Sequence, residues 1–433
     1  MLAASDRGIP AGTRTRLIVE PARPVSLSVL PLEDPVRAQE VSLESGIPEA
    51  VLRNHDAVVR QTHRRAGVVV LDVPEGRQAG LRRELEAAGF IARPPKPVYA
   101  LLNESVPLLQ VQPVWKSGIE GDGIRVGIVD TGADHHPDFG DRIVSYRDFT
   151  ESGTPDEVGH GTHVAGIIAG AGAVYRGVAP RASLVIAKAL SLHGGTEDTV
   201  LAALSWLSRQ KVDVANLSLG GSGDPHDPLS REVDALSAEG ILVCVAAGNS
   251  GPAAGTIGSP GCAAGAITVG AIDKRRRITE YSSRGPVAGL SAHKPDLVAV
   301  GGGTTPTAAC RYGTGVASAR AQALDADRCT VSSRYVRMSG TSMAAPHVAG
   351  VCALLLEASR SMSRSESRIA RARAVRRALT QTADDLGLAP DVAGAGGVDA
   401  AKALTALGSR RSAAVPTMSS SSPAIARSGI EPK

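Results

Sequence analysis

Three polar residues stand where they could do covalent chemistry. Asp130 ends the apolar run "IRVGIVD" (124–130), His160 opens "HGTHVAG" and Ser342 lies at the mouth of "GTSMAAPHVAG" (340–350). A serine hydroxyl is a poor nucleophile near neutral pH. It needs a general base in hydrogen-bond reach, and the base needs a third group to fix its tautomer. His160 and Ser342 each lead into an apolar stretch with helical spacing. The first N–H groups of a helix lack partners, so a developing oxyanion at Ser342 would meet a main-chain donor. Asn249 in "AAGNSG" offers a second, side-chain donor. Gly340 lets the chain pass close to a ligand, and Pro346 is expected in a first helical turn, where its missing N–H costs little. Taken singly, Ser342 reads as an N-cap and Asp130 as a turn residue. Their joint occurrence carries the chemical reading.

Such groups need a rigid frame. Strand candidates are 124–130, 183–190, 212–219, 241–247 and 266–272, with helix candidates at 161–170, 197–210 and 229–240. This alternation predicts an α/β fold, a doubly wound and mostly parallel sheet flanked by helices. Sites in such sheets form beyond the carboxyl ends of the strands. Asp130, Ser218 with Gly220 and Gly221, and Asn249 are therefore expected on one rim. The main unit spans 105–408. It is interrupted at 301–338 by a long loop or small insertion, and followed by helices over 375–386 and, after a turn, in 394–404. Residues 1–104 form a separate small α/β unit: a strand at 66–74, a helix at 76–90, an extended stretch at 91–102 broken by Pro94 and Pro95, and "RLIVEP" as a further strand. The polar end, 409–433, is expected to be disordered.

Composition narrows the function classes. The 433 residues allow two or three domains. With 43% hydrophobic but only 3% aromatic residues, the core must be built from Val, Leu, Ile and Ala. A net charge of +4 does not call for nucleic acid. The arginines of 360–377 lack interleaved aromatics and read as a solvated helix face. No run of 18 apolar residues occurs, so no membrane span is expected. The first residues lack a continuous apolar leader segment, and the compartment stays open. Cys244 and Cys352 read as small core residues. Cys310 and Cys329 flank a polar loop and either pair in an oxidising compartment or stay free. His163 and His347 read as structural. His135 and His136, beside Asp134 and Asp138, read as a solvated loop, and no metal is assigned. No G-x-S-x-G occurs, which removes the nucleophile elbow of the α/β-hydrolases.

The segments "DTG…HPDF", "GHGTHVAG", "SLGG", "AAGN", "SSRGP", "KPDLVAVG" and "GTSMAAPHVAG" resemble the subtilisin-like serine proteases, the subtilases, over about residues 105–405. The order Asp, His, Ser fits as well. The resemblance implies a serine endopeptidase with Asp130 orienting the base, His160 as base, Ser342 as nucleophile and Asn249 in the oxyanion hole. It implies that Ser218, Leu219 and Gly220 pair with an extended substrate, with Ala246, Ala247 and Gly248 on the other side. Gly258 would lie at the base of the pocket for the residue before the scissile bond. The N-terminal unit resembles a propeptide that assists folding and blocks the cleft, which implies autocleavage within about 98–108. A peptide or protein substrate and a monomer are expected. Three features depart from the family pattern. The Asp130 segment is one residue shorter, the loop after "HVAG" lacks an Asn-rich turn, and Val300 replaces a common Pro. No cofactor is expected, and no specific motif supports structural calcium. The 301–338 stretch is expected to shape the primed side of the cleft. A silent peptide-binding protein and an esterase or amidase are the alternatives.

Overall fold

A computed structural model describes residues 14–22, 46–63, 67–95, 97–100, 106–303, 314–325, 327, 329–363 and 365–414. The N-terminal unit holds β1 (Arg14–Pro21), β2 (Val58–His63), β3 (Val68–Pro74) and β4 (Phe90–Arg93), antiparallel in the order β2-β3-β1-β4. The two-residue period of β1 splits its side chains. Leu17 and Val19 pack with Leu81 and Leu85 of the helix Gln78–Ala87, whereas Ile18 faces the main body. The extended stretch expected at 91–102 is two elements. β4 ends at Arg93, and β5 (Pro97–Ala100) leaves for another sheet.

The main body carries β6 (Arg125–Asp130), β7 (Ile143–Asp148), β8 (Ser183–Lys188), β9 (Gly195–Thr196), β10 (Val214–Leu217), β11 (Leu219–Gly220), β12 (Leu242–Ala246), β13 (Ile267–Ile272) and β14 (Leu297–Val300). Seven of these form a parallel sheet in the order β14-β13-β12-β10-β6-β8-β7. Alternate residues feed two cores. Val126 and Ile128 of β6 meet Val164 and Ile168 of the helix His160–Ala169 and Val348 of the helix Thr341–Met362. Val129 faces Val200 and Leu204 of the helix Glu197–Arg209 and Leu236 of the helix Pro228–Ala238. From β6 the chain runs to β7 at the sheet's edge and returns to β8 between the two, then crosses to β10 and builds the other way. The crevice of such a sheet opens at this switch point, and β6 and β10 end there in Asp130 and Leu217.

Part of the 301–338 stretch is regular structure. β15 (Val316–Ala319), β16 (Thr330–Ser332) and β17 (Tyr335–Met338) form an antiparallel sheet in the order β15-β17-β16. It lies on the His160 helix: Ser318 Oγ donates to the His163 carbonyl at 2.8 Å. Cys329 is disulfide-bonded, and Cys310 lies outside the described residues. The helix expected at 375–386 runs instead from Arg368 to Gln381, because Ser367 caps it by accepting from the Ala370 N–H at 3.2 Å. Its arginines are not simply a solvated face. Arg376 donates to the carbonyls of Gly265 and Ala266 at 2.8 and 2.9 Å, and Arg360, on the preceding helix, to that of Gly123 at 2.8 Å. Arg373 and Arg377 are exposed. The final helix runs Ala400–Ala414, past the end expected for it, and 415–433 lie outside the described residues. Among the described residues one helix, Thr341–Met362, is long and apolar enough to cross a membrane, and it is buried against the sheet.

Candidate active site

Asp130 and His160 meet because two loops approach without side chains between them. A Cβ on Gly161 would lie 1.9 Å from the Gly132 carbonyl oxygen, so only glycine lets the helix start touch the turn after β6. His160 Nδ1 lies 2.5 Å from Asp130 Oδ1, which also accepts the Thr131 N–H at 2.7 Å. Both side chains are buried. An ionised carboxylate accepts only, so Nδ1 carries the ring proton and Nε2 is the basic nitrogen. Asp156, buried four residues before His160, ties the two loops together. Its Oδ1 accepts from Thr131 Oγ1 at 2.8 Å and from the Gly159 N–H at 2.7 Å. Its Oδ2 accepts from the Thr162 N–H at 2.8 Å and Oγ1 at 2.6 Å.

Ser342 is the second residue of its helix, fully buried, and its Oγ donates to the Ser218 carbonyl at 3.0 Å. The Ser218 hydroxyl in turn donates to the Ser342 carbonyl at 2.7 Å and accepts from Asn216 Nδ2 at 2.9 Å. Pro346 explains that second bond. The proline lies in the second helical turn, not the first as expected. Its missing N–H would have served the Ser342 carbonyl, which is left for Ser218. Asn249 is held by its oxygen, which accepts from the Thr341 N–H at 3.0 Å and Oγ1 at 2.9 Å. That orientation leaves its NH2 group as the donor.

The cleft edges differ from expectation on one side. Leu219 and Gly220 form β11, one edge of the three-stranded sheet β11-β5-β9. The opposite edge is β9, Gly195–Thr196, which the sequence did not reveal. Ala246, Ala247 and Gly248 instead make a wall whose main chain is already engaged: Ala247 N–H with the Val269 carbonyl, Gly248 N–H with Thr341 Oγ1, and the Gly248 carbonyl with Ser283 N–H. Gly258 lies against β11's continuation, where a Cβ would stand 2.1 Å from the Gly221 oxygen. Between β9 and β11 runs β5 of the N-terminal unit. Ala100 faces Leu219, Tyr99 faces Gly220, Val98 faces Gly195 and Pro97 faces Thr196.

Comparison with known proteins fits this geometry. A model of the subtilase family matches residues 121–402, more than half of the chain. The chain belongs to the subtilase family, a family of serine proteases. It is 37% identical over 292 residues to serine protease AprX of Bacillus subtilis (strain 168), covering 60% of this chain and 63% of that one. It is 36% identical over 290 residues to subtilisin DY of Bacillus licheniformis, covering 65% and 91%. It is 37% identical over 269 residues to an intracellular serine protease of Paenibacillus polymyxa, covering 59% and 72%. The chain thus spans a little under two thirds of the AprX length.

In this subtilase three further histidines, His136, His163 and His347, are held by buried hydrogen bonds. His163 and His347 are fully buried. Burial holds the first down to about 3 and the second to about 4, so both are neutral, bonded to the carbonyls of Val316 and Met343. His135 is exposed, but His136 is not part of a solvated loop. It is buried, with Nε2 on the Arg334 carbonyl at 2.9 Å and Nδ1 accepting the Asp138 N–H at 3.2 Å. Asp138 accepts from the Tyr335 hydroxyl at 2.9 Å. Among the described residues no three His, Cys, Asp or Glu side chains converge as a metal-ligand group.

Proposed function

We propose that this subtilase is an endopeptidase working through Ser342, His160 and Asp130. Ser342 Oγ turns from the Ser218 carbonyl toward His160 Nε2, gives up its proton and attacks the scissile carbonyl. The Asn249 amide and the Ser342 N–H hold the oxyanion, His160 protonates the leaving amine, and water resolves the acyl-enzyme. Every step runs through protein groups and water. The short Asp130–His160 contact is the observation that carries this reading, since it fixes the tautomer a base requires. A fluorophosphonate probe should label the wild type but not Ser342→Ala, and only the wild type should cut a peptide library. Labelling of Ser342→Ala, or an active Ser342→Ala, refutes the assignment.

The N-terminal unit acts as an intramolecular inhibitor, a role supported by β5 lying between the two cleft edges. Ala100 faces Leu219, and the next cleft residue is Ser218, whose carbonyl holds the nucleophile. The residue after Ala100 in sequence is Leu101, so this register offers the Leu101–Leu102 bond for self-cleavage. N-terminal sequencing of active enzyme should read Leu102 first. An uncut chain with full activity refutes the inhibitory role.

A further inference from the structure

Lys188 is a charged side chain with no part in the steps above, and it is fully buried at the carboxyl end of β8. In the parallel sheet its register partners are Asp130 on β6 and Asp148 on β7. In-register neighbours on adjacent strands point to the same face. That is the face of Leu184 and Ile186, which pack with the His160 helix. Lys188 Nζ donates to the Thr131 carbonyl at 2.7 Å and to Glu157 Oε2 at 2.5 Å. A buried ion pair adds little stability over an apolar residue of like size, so packing does not account for the lysine. Thr131 is the hub of the joint. Its N–H holds Asp130 Oδ1 at 2.7 Å, its hydroxyl accepts from the Gly161 N–H at 2.9 Å and donates to Asp156, and its carbonyl is held by Lys188. A bonded path therefore leads from the ammonium through Thr131 and Asp130 to His160. Glu157 follows Asp156 in the loop before His160, and its Oε2 also accepts from Thr154 Oγ1 at 2.6 Å. Lys188 thus spans the same two loops that Asp156 joins.

The charges matter as much as the bonds. Carboxylates crowd this rim: Asp130 ends β6, Asp148 ends β7, and Asp156 and Glu157 lie in the loop that leads to His160. Each favours a protonated imidazole. A general base must be unprotonated when the serine attacks, and a fixed cation among the acids offsets them. His163 on the same helix and His347 on the Ser342 helix are held neutral by burial and offset nothing. From the 301–338 sheet, Arg320 donates to the Ser333 and Leu324 carbonyls, and Asp134 accepts the Gln322 N–H. We propose that Lys188 is a positioning residue for the His160–Asp130 pair and the cation that keeps His160 uncharged at the moment of attack.

This inference rests on the endopeptidase reading. It is tested by following kcat/KM against pH on a fluorogenic peptide, with active enzyme counted by fluorophosphonate titration. The acid limb of that profile reports the base of the free enzyme. Lys188→Met removes a positive charge, favours the imidazolium and should move the limb up by about half a pH unit to one unit. On the alkaline plateau kcat should fall about tenfold or more with KM little changed, because the pair loses its alignment. Glu157→Gln removes a negative charge and should move the limb down. Lys188→Arg keeps the charge and should leave the limb at its wild-type position, although its planar fork lowers kcat. Should Lys188→Met fail to fold, Glu157→Gln and Lys188→Arg carry the test. A limb that either charge removal leaves in place, or that both move the same way, overturns the assignment and makes Lys188 purely structural. A wild type that neither takes the probe nor cuts the peptide strikes the endopeptidase reading, and this inference falls with it.

Discussion

Pro346 decides how Ser342 is held. By leaving the Ser342 carbonyl without a helical partner, it lets Ser218 bond to Ser342 twice, once through each residue's hydroxyl. Ser218→Ala would strand a buried carbonyl. A loss of about 1–3 kcal/mol is expected in a denaturant titration, together with a lower kcat. Stability equal to wild type would show that water or a shifted helix fills the gap. Under the proposed mechanism Asn249→Ala removes one oxyanion donor and should lower kcat by about 10² to 10³ with little change in KM. Wild-type turnover would remove Asn249 from the site. Asp130, His160, Ser342 and Asn249 could be picked out of the sequence because each stands at an element end, in a distinctive local pattern. Asp156 and Thr341 could not. Their importance lies in distant partners, Thr131 for Asp156 and the Asn249 side-chain oxygen for Thr341, and no local pattern records such a meeting.

At the scale of elements, the site is a joint between the turn after β6 and the start of the His160 helix, and Asp156 is its pin. Both of its oxygens face donors only, so either orientation of an asparagine turns an NH2 group toward an N–H or hydroxyl hydrogen. Asp156→Asn should cost about 2–3 kcal/mol and, under the proposed mechanism, depress kcat far more than KM, because His160 and Asp130 move apart. A normal kcat in a destabilised variant would make Asp156 purely structural. The long central elements were legible since their apolar runs are continuous. β7 was missed because it is a half-exposed edge, with Ser145, Arg147 and Asp148 among its six residues. β9 and β15–β17 span two to four residues each, too few for a period of two to be seen.

For the whole molecule, the N-terminal unit is clamped by apolar and ionic contacts together. Ile18 and Val68 join the core built by Trp206 and Leu207, while Arg16, Arg60 and Arg93 meet Asp198, Glu151 and Glu197. In these three pairs the base belongs to the N-terminal unit and the acid to the main body, whereas Glu20 of the N-terminal unit meets Arg231 of the main body with the signs reversed. His63 lies in the same interface, its Nδ1 3.3 Å from Ser205 Oγ. Burial, with Arg209 adding to it and Asp198 opposing it, lowers His63 to about 4. A released His63 regains its ordinary value near 6.5. Docking is therefore strongest above that pH and weakens as pH falls toward 4. At pH 5 the loss is about 2 kcal/mol, on the order of 30-fold in the docking constant. Full-length protein held at pH 5 and then assayed at pH 8 should activate faster than protein held at pH 8, and His63→Leu should erase the difference. Equal lags would refute the effect. The late position of Ser342 in the chain has a last consequence, for biosynthesis. At ribosomal speeds its helix emerges on the order of half a minute after β5, so under the proposed mechanism the growing chain carries its restraint before it carries its nucleophile.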